Sequence, residues 1–179
     1  MALGFIALLV RVAYTFVLVG PTATTDTALY WQHAQAVLKI GDYGPADYPP
    51  GYPYMLAGLG RPFGGITLDL AAAYGVLLST ITCVLVYLLG RELFDERVGW
   101  LSGWYTVFYY PLVDYSRYIT TETQFTFLLV MAGVLLSLRT ARAGWARMFV
   151  GGIVFGLAAL TRETILPAIL FVFVLGLTR

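Results

Sequence analysis

The sequence predicts an all-α polytopic membrane protein with about six transmembrane helices, the first four near the 17–25 residues a bilayer core demands and the last two marginal in length. Three observations carry this. Of 179 residues, 59% are hydrophobic and only 12% charged, against roughly 25% charged in soluble domains, and mean hydropathy is +0.78. Apolar stretches of near-spanning length recur along the whole chain. The aromatic residues, 16% of the total, gather at the ends of those stretches, as interfacial belts of Trp and Tyr do. A net charge of +1 gives no footprint for a nucleic-acid partner.

The first span, roughly 3–20, has no basic residue ahead of it and no small-x-small cleavage site. It reads as an uncleaved span rather than a signal peptide. A polar island follows from Pro21 to Ile66. Its middle, 27–40, has the pattern of an amphipathic surface helix, with Leu29, Tyr30, Trp31, Ala34, Val37 and Leu38 apolar and Gln32, His33, Gln35 and Lys39 polar. Gly41 ends it. Tyr48-Pro-Pro-Gly-Tyr-Pro53 reads as a stiff loop, because each proline fixes φ near −65°, and a short helix over 53–60 leads to the turn Arg61-Pro-Phe-Gly-Gly65.

Five further spans are expected at roughly 68–90, 97–113, 122–138, 148–161 and 164–178. Gly151, Gly152 and Gly156 suit close packing of the fifth span, and only Thr161-Arg-Glu-Thr164 separates it from the sixth. With the island outside, one set of short loops holds Arg91, Arg97, Arg139, Arg142, Arg147 and Arg179. The positive-inside rule then makes the amino terminus cytoplasmic and the 21–66 loop periplasmic or extracellular. This is expected of a multi-pass protein of the inner or plasma membrane.

In that topology four groups meet at the outer membrane surface: Asp26, the 47–53 loop, the 117–122 segment and Arg162-Glu163. Ionisable groups at such depths are costly unless paired or used. Asp26 suits either a helix N-cap or a general base. Tyr48 and Tyr52 offer ring faces and hydroxyls to a sugar or prenyl chain, or simply build a turn. Asp47 is a loop carboxylate that either faces solvent or points into a site. Glu122 suits a helix start, with Thr120 or Thr121 as cap, or a place in a site. Arg162 suits a helix C-terminus or a bidentate grip on phosphate, and Arg117 the same grip on phosphate. Arg11 falls mid-span, where an ion pair with an acidic residue on a neighbouring span is expected. His33 stands alone and Cys83 lies in an apolar run, so no metal site is expected. The chain has no P-loop, GxSxG or CxxC, which argues against an ATP-driven pump or a serine hydrolase.

These motifs resemble a known family. Asp26 with the Tyr30-Trp31 helix, Tyr48-Pro-Pro-Gly-Tyr-Pro53, Leu88-Leu-Gly-Arg-Glu-Leu-Phe94, Tyr110-Pro111, Thr121-Glu-Thr-Gln-Phe125 and Gly156-Leu-Ala-Ala-Leu-Thr-Arg162 follow the order seen in GT-C glycosyltransferases. The nearest type is bacterial glycosyltransferase 39, related to the dolichyl-phosphate-mannose protein mannosyltransferases. The resemblance implies a partial GT-C fold and an inverting transferase without a cofactor. The donor would be a polyprenyl-phosphate-linked hexose or pentose, and the acceptor a protein, lipid or glycan on the outer side. It implies Asp26 as the acceptor-activating base, with Asp47, Tyr48, Tyr52, Arg117, Glu122 and Arg162 around the substrates. Many relatives have a second acidic residue after the loop Asp; Thr27 stands there in this chain, which weakens a paired-carboxylate or metal reading. Relatives commonly run to several hundred residues, so the chain is expected to be an amino-terminal fragment forming a single module over 1–179. The rival reading is a transport or lipid-binding protein that uses the same outer charges without catalysis.

Overall fold

The computed structural model describes residues 2–22, 25–45, 48–138 and 144–165, with the backbone alone at 25 and 26. Among these residues every regular element is helical, as the composition requires. Helix α1 (Ala2–Val12) continues as a π-helical stretch, Ala13–Val19. Then come α2 (Thr25–Ile40), α3 (Gly51–Gly60), α4 (Leu68–Leu93), α5 (Glu96–Phe108), α6 (Tyr110–Asp114), α7 (Thr121–Ser137) and α8 (Gly144–Thr161). Residues 2–19, α4 and α8 are each long and apolar enough to cross a membrane, and α7 is a shorter apolar helix. The outward faces of these helices and of α5 carry large apolar side chains, among them Phe5, Val17, Leu77, Leu101 and Trp145, as a lipid environment requires. The expected span at 164–178 lies, beyond Ile165, outside the described residues. The fifth span starts at Gly144, four residues earlier than expected, so its length is not marginal.

Helices α1, α4 and α5 pack around Leu3, Ala7, Cys83 and Val107. Helices α7 and α8 pack around Leu128, Ala132, Val154 and Ala158. Of the three glycines expected to pack closely on α8, Gly151 does so, with Leu136 where a Cβ would stand, while Gly152 and Gly156 face open space.

The third span is not continuous. α5 ends at Phe108, Tyr109 turns extended (φ −67°, ψ 104°), and α6 restarts with Pro111 in its first turn. Proline has no N–H for the carbonyl four residues back, so the Val107 carbonyl loses its helical donor. The kink at Tyr109 likewise takes the Thr106 carbonyl from its own. Arg11 supplies both. Fully buried, its guanidinium donates to the Val107 and Thr106 carbonyls at 3.2 Å each, to the Ala7 carbonyl at 3.3 Å and to Ser79 Oγ at 2.6 Å. The expected ion pair for Arg11 is therefore corrected: among the described residues its partners are neutral acceptors, two of them at the C-terminal end of α5, where a cation is favoured.

The island also differs from expectation. α2 does not spend its apolar face on lipid. Ala34, Tyr30, Trp31 and Leu38 pack instead with Tyr52 and Leu56 of α3, Ile66, Ala71 and Ile119. α3 begins at Gly51, so only Tyr48–Pro50 is loop and Tyr52-Pro53 is the first turn of a helix. Pro53 fits there because a first-turn N–H has no helical acceptor anyway. Gly51 is required by packing: a Cβ would stand 2.8 Å from the Leu160 carbonyl oxygen. That contact presses the start of α3 onto the C-terminal end of α8. At the far end, Thr67 caps α4 by accepting from the Leu70 amide at 3.1 Å.

Candidate functional site

Where the start of α2, the 48–50 loop, the start of α7 and the end of α8 meet, they enclose a cleft of about 300 Å³. It is lined by Tyr30, Tyr48, Pro49, the run Thr120–Glu122 and the run Thr161–Thr164. Each element presents its polar residues here because each ends here. α7 opens with Thr121-Glu122, and an early carboxylate suits a helix N-terminus. α8 closes on Thr161-Arg162, and a late cation suits a C-terminus.

Glu122 and Arg162 form an ion pair across the cleft, Oε1 to Nη1 at 2.7 Å, with about a third of each side chain exposed (33% and 37%). Behind them, Gln124 Nε2 donates to Thr161 Oγ1 at 3.0 Å, and Tyr74 donates its hydroxyl to Gln124 Oε1 at 2.9 Å. This row fixes α7 against α8 below the ion pair. Thr120 occupies the N-cap position of α7, but its side chain makes no cap bond. Its Oγ1 is buried with no hydrogen-bond partner among the described residues.

The structure brings together three of the residues expected here: Tyr48, Glu122 and Arg162. Tyr48 and Tyr30 meet edge to face at 5.7 Å. Tyr52 stands behind the wall and is not part of it. It is buried, with its ring against Tyr30 at 5.7 Å, and burial holds its hydroxyl well above the ordinary tyrosine range, kept protonated. Its expected role as an open ring face or hydroxyl is corrected on that ground. Arg117 is turned elsewhere. It pairs with Asp114 at 2.8 Å, donates to Thr22 Oγ1 at 2.5 Å and to the Tyr118 hydroxyl, and lies 4.1 Å over the Tyr118 ring. With Thr22 N–H on the Arg117 carbonyl, it ties the chain leaving the first span to the segment before α7.

Asp47 lies outside the described residues. Asp26 falls, by its backbone, in the first turn of α2. The next residue, Thr27, is buried and donates to the Ile119 carbonyl at 3.1 Å. Ile119 directly precedes the Thr120–Glu122 lining, so the start of α2 is pinned beside the cleft.

Tyr30, Thr161 and Thr164 were given no site role from sequence; Thr120 and Thr121 were read as caps, and Glu163 was placed with Arg162 among the converging groups. The available signal was the density of small hydroxyls at two span ends, Thr120-Thr-Glu-Thr123 and Thr161-Arg-Glu-Thr164. Below the cleft, and sharing Thr161 with it, runs an apolar groove of about 200 Å³ lined by Gly51, Met55, Tyr74, Leu78, Gln124, Phe127, Leu128 and Leu157. Among the described residues no group of His, Cys, Asp and Glu could hold a metal ion.

A family model described as dolichyl-phosphate-mannose-protein mannosyltransferase matches residues 47–179. The match takes in Tyr48, Glu122 and Arg162, and Asp26 precedes it. No curated protein and no solved structure matches the chain.

Proposed function

The chain belongs to the dolichyl-phosphate-mannose-protein mannosyltransferase family, a family of membrane glycosyltransferases, and on that premise we propose that it transfers a sugar from a polyprenyl-phosphate donor to an acceptor on the outer side of the membrane. One observation carries the reading: a polar cleft holding Glu122 and Arg162 joins an apolar groove at Thr161. An amphiphile with a phosphate head and a prenyl tail matches that junction in chemistry. The cleft takes the head and the groove takes the start of the tail.

In this reading transfer is a single displacement. Asp26 takes the proton from the acceptor nucleophile, a bond forms to the anomeric carbon, and the bond from that carbon to the phosphate oxygen breaks. The configuration inverts, and negative charge grows on the departing lipid phosphate. A guanidinium has five N–H donors, and Arg162 bonds Glu122 through Nη1, so further donors remain to meet that charge as it develops. Glu122 holds the guanidinium in place. The amino terminus is then cytoplasmic and the chain is a multi-pass protein of the plasma or inner membrane, with the cleft facing out.

The test is transfer of radiolabelled sugar from polyprenyl-phosphate donors by membranes carrying this chain and its Asp26→Asn form. The reading expects label in the acceptor fraction with wild type and at least a hundredfold less with the variant, the scale of a lost general base. Equal transfer by both removes Asp26 as the base, and no transfer from any such donor by wild type removes the reading.

A further inference from the structure

The α2–α3 pair carries a second cavity, at the end away from the reaction cleft. It measures about 310 Å³ and is lined by Val37, Leu38, Gly41, Tyr54, Ala57, Gly58 and Arg61. That is the lower end of the size range of small-ligand pockets, about 300–1,000 Å³. We propose that this cavity is a saccharide-binding subsite that holds a distal ring of an extended glycan acceptor.

Its walls suit a sugar ring. Tyr54 is half exposed, and Tyr43 stacks on it with planes 10° apart, which fixes the orientation of the ring. A rigid aromatic face is a platform for the apolar face of a pyranose. Gly58 leaves open space where a Cβ would stand, and Gly41 adopts a left-handed φ of +72° that also removes a side chain from the rim. Arg61 is exposed, and among the described residues its side chain has no hydrogen-bond or ion-pair partner. It supplies donors, while the α2 carbonyls beyond Val37, whose own oxygen accepts from the Gly41 N–H at 3.1 Å, lack helical partners and supply acceptors.

The electrostatics select the ligand class. The carboxyl ends of α2 and α3 both point to this region, where the helix dipoles are unfavourable to an anion. Lys39 stands in the last turn of α2 and Arg61 follows α3 as its C-cap residue, so both offset those dipoles. Asp42, beside Gly41, adds negative charge. A neutral ligand with many hydroxyls meets both the donors and the acceptors, whereas a phosphate meets only the cations.

The cavity is also coupled to the reaction cleft. Tyr30 and Tyr48 line the cleft. From Tyr48 a row of rings runs through His33 (6.2 Å), Tyr43 (4.4 Å, planes 9° apart) and Tyr54 (5.8 Å). The Tyr43 hydroxyl donates to the Tyr48 carbonyl at 2.9 Å, and His33 Nδ1 lies 2.8 Å from the Tyr43 carbonyl oxygen. One rigid aromatic partition thus separates the two openings and fixes their spacing. The role as an acceptor subsite rests on the glycosyl-transfer reading; the binding of sugar does not.

The experiment is saturation-transfer NMR on the chain in lipid nanodiscs, with mannotriose, chitotriose and maltotriose as probes. At least one is expected to bind, with contact at the apolar ring face. Gly58→Leu, which fills the cavity without changing charge, and Tyr54→Ser should each weaken binding about tenfold, the scale of one lost stacking contact. Glu122→Gln should leave it unchanged. If none of the three sugars binds, or if binding survives both cavity variants, or if it is lost only with Glu122→Gln, the subsite is not there. A chain that binds sugar here yet transfers none refutes the transferase reading and leaves the subsite standing.

Discussion

Replacing Arg162 separates two accounts of the Glu122–Arg162 pair by magnitude. As a structural contact it is modest. Both side chains are about one-third exposed at 2.7 Å, and pairs of that exposure contribute about 0.2–1 kcal/mol. On a chain of this length that is a fall in melting temperature of at most about 4 °C. As the group that meets a departing phosphate, the guanidinium acts in the transition state. Loss of one such donor costs about 2.7–4 kcal/mol, or 10²–10³ in kcat. Arg162→Gln should therefore melt within a few degrees of wild type yet lose at least a hundredfold in kcat. Glu122→Gln, which leaves the cation but not its anchor, should lose less. Arg162→Lys should fall between, because it keeps the charge but not the planar fork. The assays are thermal unfolding of the detergent-solubilised protein and initial rates of sugar transfer on the same preparations. Retention of more than a tenth of kcat by Arg162→Gln at unchanged melting temperature sinks the phosphate role, and a rate loss that merely follows unfolding sinks it equally.

Three further perturbations follow from the packing. Arg11→Lys keeps the buried charge but cannot span the Thr106 and Val107 carbonyls and Ser79 together, so stability should fall by about 1–2 kcal/mol, read as a lower melting temperature; a wild-type melt would show that the fork is not needed. Gly75→Ala would place a Cβ 2.3 Å from the Ser116 carbonyl oxygen, so the 115–117 turn must move at a cost of about 1–3 kcal/mol; unchanged melting and unchanged trypsin cleavage at Arg117 would refute that packing. Tyr52 titrates above its unfolded range, so its contribution to stability is whole below about pH 10 and is lost as pH rises through the folded value; Tyr52→Phe should flatten the fall in unfolding free energy above pH 10, and an identical slope would refute the assignment.

Much of the fold was legible because hydropathy is summed over long windows. The first span, α4 and α7 lie close to where the apolar runs put them, and α2 ends at Gly41 as its pattern required. The site was legible where charge interrupts those runs: Glu122 opens one span and Arg162 directly follows another, and they meet. Tyr48-Pro-Pro-Gly-Tyr-Pro53 was legible only in part. Three prolines read as a stiff loop, but Pro53 is as well placed in a first helical turn, and Gly51 chooses that turn by its contact with Leu160, a neighbour more than a hundred positions away. Arg117 misled because an Arg between spans has the same local pattern whether it faces a cleft or clamps a loop. Asp114, three residues earlier, was the available sign of the clamp.

Arg11 and Pro111 show what pairwise reading of a membrane sequence lacks. A cation in mid-span invites a search for an anion, and the chain has ten acidic residues to choose from. The partner is instead a defect. Pro111 strips the donor from the Val107 carbonyl, and the kink at Tyr109 strips another from Thr106. In hydrocarbon no water replaces them, so the break holds only if a side chain supplies the bonds. A guanidinium carries several donors in one plane and is drawn to the negative end of α5, which makes Arg11 and Pro111 one device, a hundred positions apart, rather than two separate costs. The break lets α6 and the 115–117 turn leave the line of α5, and Arg117 then ties that turn to Thr22, while Thr27 fastens the start of α2 to Ile119. The buried arginine therefore bears on the cleft through the route of the backbone. A variant at Arg11 that still folds should disturb the position of Thr120–Glu122 before it disturbs the packing of α7 on α8.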